Sequence, residues 1–259
     1  DIGAKGPDAD DWRSDPTKAH AHLQPQLEFE MAPWLMTKPV IASVQGHVLG
    51  GGCELVMLCD LTIAAGNATF GEPEVRFSAV GPAIVMPMII GYKRARELLY
   101  FGDQIDAQTA LDIGMINRIV PLAELRTASL TYAKRLSLIS PEALYATKRA
   151  VNRVADAAGF RTALYSGLDA VGPLYATATE LGTQFREIAR TEGPRSGGDR
   201  LSSRDRADDA QRRIRVVFAG RRLGYGRGLG RSRSAALPEQ LARHQYDFDE
   251  RSALVEVIA

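Results

Sequence analysis

Residues 38–75 read KPVIASVQGHVLGGGCELVMLCDLTIAAGNATFGEPEV. Pro39–Gln45 is a short apolar run with β-branched residues, which predicts a buried strand ending at Gly46. Gly50-Gly51-Gly52 then leads into Cys53–Leu58, where Leu55, Val56, Met57 and Leu58 leave no polar face. That is the pattern of a helix buried on all sides. Asp60–Ala65 predicts a second buried strand, and Thr69–Gly71 a further extension. Buried strands alternating with helices argue for an α/β fold.

The glycine-rich junction is where chemistry can sit. Glycines let the chain turn sharply and let a ligand approach the backbone amides. The first turn of a helix leaves its N–H groups unpaired at the positive end of the dipole, which suits a developing negative oxygen. Gly51 and Glu54 are three residues apart and so share one helix face. Twenty residues on, Glu74 follows Pro73 in GEPE, on a loop. Two carboxyl groups beside one polarised carbonyl can activate a water and pass its proton. The plainer alternative is a junction that only permits close packing. On the residues alone, Glu72 and Glu74 read as solvated loop acids. Asp60 reads as a structural hydrogen-bonding residue, His47 as packing or capping, and Cys53 and Cys59 as core thiols.

Further out, residues 17–36 predict a helix interrupted by Pro25 and Pro33. Residues 92–101 predict a helix ending near Gly102, and Asp106 caps a short one that stops at Gly114. Met115–Val120 predicts a strand, with Pro121 opening the helix after it. Ser140-Pro141-Glu142 starts a helix that runs to about Ala157.

The stretch 38–75 closely resembles the signature of the enoyl-CoA hydratase/isomerase (crotonase) superfamily, KPVIAAV-G-ALGGG-EL-L-CD followed by F-PEV. The resemblance continues through residues 101–121 (FGDQIDAQTALDIGMINRIVP), 140–152 (SPEALYATKRAVN) and 187–193 (EIARTEG). It implies a crotonase-like spiral of strand-strand-helix repeats with a C-terminal helical region used in self-association. It implies an acyl-CoA thioester substrate, a homotrimer or hexamer, and no cofactor or metal, because the CoA belongs to the substrate. It gives Gly51 the role of the amide that binds the thioester oxygen. Glu54 and Glu74 become the two acids that hold water in hydratases, whereas isomerases of the family usually keep only the second. The resemblance also places Gly50, Gly52, Val75 and Pro82 against the substrate. The implied reaction adds water across the 2,3-double bond of an enoyl-CoA through an enolate. The alternatives are an isomerase or hydrolase of the same family.

Two departures bear on that reading. Hydratases usually carry G-xx-P-xx-GG-xx-L after the second glutamate. This chain has VRFSAVGPAIVMPMI at 75–89, with Ile84-Val85 in place of the double glycine, so an altered acyl pocket is expected. Asp1 resembles the Asp of the family's AG-x-D motif, whose preceding residue supplies the other oxyanion amide. Residues 1–193 are therefore expected to form a core lacking its first strands, with little hydratase activity of its own.

Composition sets the remaining bounds. Hydrophobic content of 45% and charged content of 24% are ordinary for a globular protein. No apolar run reaches the roughly 18 residues of a transmembrane helix, no signal peptide is visible at the start, and two cysteines suggest reduced thiols. A cytoplasmic enzyme without a membrane partner is expected. Residues 1–193 carry 18 bases and 22 acids, while residues 194–259 carry 14 Arg, no Lys and 9 acids. The tail reads as an Arg/Gly-rich segment outside the family, disordered or frame-shifted. Dropping the first base of the Pro194 codon can yield Leu-Glu-Ala-Ala, an ending the family expects. Only Arg213–Ala219 within it reads as a strand. An inactive fragment whose basic tail binds nucleic-acid phosphates is the alternative from another functional class. Salt-dependent binding by 194–259 would support it, but nucleic acid is not the expected partner.

Overall fold

A computed structural model describes residues 11–192 and 255–258. A 3-10 turn at Asp11–Arg13 precedes α1 (Pro16–Glu30) and the short α2 (Ala32–Leu35). Asp15 caps α1 by accepting from Thr17 and Lys18 N–H, and Pro16 takes the first helical position, where no donor is needed. Pro25 lies inside α1 without ending it.

The chain then alternates between two small sheets. β1 (Ile41–Val44) and β3 (Leu61–Ala65) pair in parallel, and β6 (Arg118–Val120) joins β3 in parallel. β2 (His47–Leu49) pairs in parallel with β4 (Thr69–Gly71), and β5 (Gln104–Asp106) adds antiparallel to β4. Gly46, at φ +65°, makes the turn from one sheet to the other between β1 and β2. α3 (Gly51–Leu58) carries the chain back from β2 to β3. The α/β class expected from the sequence is present, though helices outweigh the small sheets.

After β4 come a 3-10 turn at Pro73–Phe77, α4 (Met86–Ile90) and α5 (Tyr92–Phe101). The acid read as lying on a loop, Glu74, is thus in a helical turn. Then follow α6 (Ala107–Asp112), a 3-10 turn at Leu122–Glu124 and α7 (Leu125–Leu136). α8 (Pro141–Ala157), α9 (Phe160–Tyr175) and α10 (Glu180–Glu192) complete the described helices. Asp106 and Ser140 cap α6 and α8 as expected. Pro121 caps the 3-10 turn instead of opening a helix, and the strand expected over Met115–Val120 shortens to three residues.

The main core joins α1 and α9 to the inner faces of both sheets, with Leu27, Val44, Phe70 and Leu168 at 0% exposure and Leu164 at 1%. α9 packs along α1, and α1 in turn packs on α3. The expectations for Asp1 and Arg213–Ala219 lie outside the described residues. Val255–Ile258 forms β7, antiparallel to β1. This corrects the reading that only Arg213–Ala219 of the tail could pair as a strand.

Candidate active site

Gly50 caps α3 with φ 57° and ψ −131°, a conformation that a side chain would strain. Its N–H donates to Gly71 O at 2.9 Å, which ties the start of α3 to the end of β4. Glu74, three residues after Gly71, folds its carboxyl group back onto the Gly50 Cα, and any Cβ at Gly50 would overlap it. The Gly51 and Gly52 amides lie in the first turn of α3, where the helix supplies no acceptor.

Glu54 is wholly buried, at 0% exposure. Its Oε1 accepts from Ala83 N–H at 3.0 Å, while its Oε2 is buried with no donor. The Gly81 Cα rests against this carboxyl group and leaves no room for a Cβ. Glu54 therefore sits one layer behind the wall that Gly81 forms.

Two further carboxyl groups reach the same place. Glu30, from the last turn of α1, is 3% exposed. Its Oε1 accepts from Gln26 Nε2 at 3.0 Å and would stand 2.9 Å from a Cβ at Gly51. Glu72 is also 3% exposed, and both of its oxygens are buried without a donor. This overturns its reading as a solvated loop acid, and Glu74 is likewise partly enclosed with its Oε2 buried.

Burial is the main cause of the electrostatics here, because an apolar surround penalises the charged form. It pushes Glu30 up to about 7, with the hydrogen bond from Gln26 and contact with Glu54 pulling the other way. Burial pushes Glu72 up to about 8, helped by the charges of Glu74 and Glu30. Glu74 rises to about 7 through burial. Glu54 is raised well above the usual carboxylate range by burial and then by Glu30, Glu72 and Glu74. No group of three or more His, Cys, Asp or Glu among the described residues is arranged to hold a metal ion. Near neutral pH the cluster is therefore satisfied partly by protons.

A cleft of about 270 Å³ opens beside these groups, and Gly51, Glu74, Gly81 and Pro82 all line it. Gly50 lies under the Glu74 carboxyl group, and Gly52 has open space around its Cα. Val75 lies off the wall, 37% exposed, with its Cγ1 towards Gly102. His47 hydrogen-bonds Thr69 Oγ1 through Nδ1 at 2.9 Å, outside the cleft. Tyr175 from α9 donates to Val80 O at 2.6 Å and accepts from Val80 N–H at 3.3 Å, so it fixes the segment that carries Gly81 and Pro82. Trp12 stacks on His22 with ring centroids 4.1 Å apart, and Arg13, Arg186 and Arg190 add cationic groups to the lining.

The sequence carries a signal for Glu30 in the spacing of α1. Ala19, Leu23, Leu27 and Glu30 follow helical spacing and all are buried, so an acid interrupts an apolar stripe. Glu72 follows fully buried Phe70 by two residues, the spacing of one strand face. Tyr175 and Arg186 lie on α9 and α10, and only tertiary packing brings them here.

Residues 13–169 match the sequence family described as enoyl-CoA hydratase/isomerase. A short-chain-enoyl-CoA hydratase of Clostridium acetobutylicum is 35% identical over 164 residues, covering 61% of this chain and 62% of that protein. The chain thus spans less than two thirds of that relative's length. The crystal structure of an enoyl-CoA hydratase/isomerase from Xanthobacter autotrophicus Py2 superposes with a TM-score of 0.70 at 34% identity. That match covers 74% of this chain and 71% of the other. A probable enoyl-CoA hydratase from Mycobacterium thermoresistibile superposes with a TM-score of 0.58 at 33% identity, over 61% of this chain and 67% of that one.

Proposed function

The chain belongs to the enoyl-CoA hydratase/isomerase family, and on that premise we propose that it serves hydration of an enoyl-CoA thioester, with Glu54 and Glu74 as its acid/base pair. The observation that carries this reading is the placement of two carboxyl groups with raised pKa values at one cleft, Glu74 against the Gly50 Cα and Glu54 against the Gly81 Cα, with Gly51 and Gly81 in the lining. The thioester oxygen lies at the Gly51 amide, and the helix start stabilises the enolate that forms there. The water oxygen bonds to C3, one carboxylate takes a water proton, and the other carboxyl group gives a proton to C2. With Glu54 raised well above the usual carboxylate range and Glu74 raised to about 7, one acid and one base can coexist in the pair. The cations beside the cleft suit the phosphates of CoA. We read the alternation of β1, β2, α3, β3 and β4 between two sheets as turns of the crotonase spiral. A reducing, cytoplasmic setting fits the free thiols of Cys53 and Cys59.

Hydration of crotonyl-CoA, followed by loss of the conjugated thioester absorbance, tests the assignment. Glu54→Gln and Glu74→Gln each lower kcat by about 100-fold or more, the scale of general acid–base groups.

A second reading, double-bond isomerisation, is favoured by one feature: Glu74 lines the cleft whereas Glu54 stands behind Gly81. Proton shuttling by a single carboxyl group needs only Glu74. A Glu54→Gln variant that keeps full activity, on a 3-enoyl-CoA that it converts to the 2-enoyl isomer, selects this reading.

The homotrimer or hexamer of the family is the expected assembly. It would cover exposed Tyr100 (70%), Phe101 (65%) and Val154 (73%). Sedimentation at monomer mass across micromolar concentrations would refute it.

A further inference from the structure

Glu30 is a buried acid that the reaction above does not use. It reaches the reaction centre from α1, a helix that carries none of the motif residues. Its Oε1 lies beside the Gly51 Cα, held by Gln26 Nε2 at 3.0 Å. Its Oε2 is buried with no donor, and so is Oε2 of Glu54, a neighbouring carboxyl group that burial and then the charge of Glu30 raise. Two carboxylates cannot donate to each other. One proton shared between them gives each orphaned oxygen a partner, and without that proton two negative charges face each other out of water.

We propose that Glu30 is a positioning residue that sets the charge beside the Gly51 amide. When neutral it allows negative charge to form on a thioester oxygen there, and when ionised it opposes that charge. The proposal rests on the reading of Gly51 as the oxygen-binding amide. It also explains why the stripe of α1 tolerates an acid: the proton is the partner that burial demands.

The groups facing Glu30 are carboxyls. Glu54 comes from α3, and Glu72 and Glu74 follow β4. The charged groups of α9, which packs along α1, are engaged elsewhere: Arg161 with Asp156 and Asp169 with His20. Arg13, His22, Arg186 and Arg190 line the cleft itself, and Tyr175 is bonded to Val80. Burial pushes Glu30 up to about 7, which puts the change of charge within the working pH range.

The test is the pH dependence of acetoacetyl-CoA binding, a 3-ketoacyl thioester acidic enough to bind as its enolate. The number of linked protons equals the slope of log Kd against pH. Above about pH 7, log Kd of the wild-type chain rises more steeply than that of Glu30→Gln, by up to one unit per pH unit. Gln26→Leu, which takes the donor from Glu30 and keeps the charges of the cluster, gives an independent reading should Glu30→Gln fail to fold. Its steep region moves to higher pH, because the charged form of Glu30 has lost a stabilising bond. Equal slopes in wild type and Glu30→Gln, an unmoved profile in Gln26→Leu, or no binding by wild type overturns the proposal. If the slopes differ as stated but Glu54→Gln keeps full activity in converting a 3-enoyl-CoA to the 2-enoyl isomer, the hydratase assignment falls and the role of Glu30 stands.

Discussion

At Gly81 the absence of a side chain decides where Glu54 can lie. The Gly81 Cα touches the Glu54 carboxyl group, which is itself held by Ala83 N–H at 3.0 Å and is wholly buried. A methyl group at position 81 must displace a group that has no free space to enter. Overpacking of this kind costs about 1–3 kcal/mol. We expect Gly81→Ala to lower stability by that amount in urea unfolding. On the proposed function we also expect it to reduce hydration at least tenfold, because the geometry of the proposed acid/base pair shifts with Glu54. A variant with wild-type kcat would show that Glu54 does not need this position. Gly167→Ala is the control, since its Cβ meets nothing within 4 Å and it lies outside the cleft lining.

At the scale of elements, Lys148 is the link between α8 and the strand layer. Its Nζ donates to Pro33 O at 2.7 Å, Lys38 O at 3.0 Å and Asp60 Oδ2 at 2.7 Å, and Asp60 Oδ2 also accepts from Val40 N–H at 2.7 Å. One ammonium thus fastens the end of α2, the entry to β1 and the entry to β3. The Lys148 side chain is 5% exposed and that of Asp60 23% exposed, so the pair is largely but not fully dry. Removing one partner of a buried pair costs about 3–5 kcal/mol, and partial exposure of Asp60 lowers this to roughly 2–4 kcal/mol. We expect Lys148→Met to lower Tm by about 5–10 °C in a thermal melt. Asp60→Asn together with Lys148→Met should recover part of the loss, since no charge is then left unpaired. A melt unchanged by Lys148→Met would mean that the link carries no weight. The reading of Asp60 as structural is supported by these bonds, whereas Val151 and Val154 of α8 face outward at 61% and 73% exposure.

For the whole molecule, the carboxyl cluster gives stability an unusual pH dependence. Glu30 and Glu74 titrate at about 7 and Glu72 at about 8 in the fold, against an ordinary value of 4.5. Between the ordinary and the raised values the folded chain holds more protons than the unfolded one. Stability therefore falls as pH rises through that window. We expect Tm to fall by several degrees between about pH 5 and pH 8, opposite to common acid denaturation. Glu72→Gln, which removes a buried carboxyl group with no donor on either oxygen, should flatten the fall and raise Tm at pH 8. A Tm that climbs steadily from pH 5 to pH 8 in the wild-type chain would contradict this account.

The local order of this protein was written in its sequence. Apolar runs, the glycines at 46 and 50–52, and the caps Asp106 and Ser140 act over a few residues, so β1, α3, β3, α6 and α8 were legible along the chain. That Gly51, Glu54 and Glu74, the residues of the proposed site, come close together was legible in the same way, because one continuous motif carries all three. The tertiary structure decided the ionisation of the site. Glu30 and Glu72 are acids of ordinary appearance until α1, α9 and β4 close around them and water leaves. Burial is a property of neighbours from distant segments, and no spacing along the chain records it. For the same reason Tyr175 and Arg186 came to light only once α9 and α10 lay against α1 and the Pro73–Phe77 turn. The chain specifies which acids stand beside the glycine-rich turn in sequence, and packing determines which of them lose contact with water.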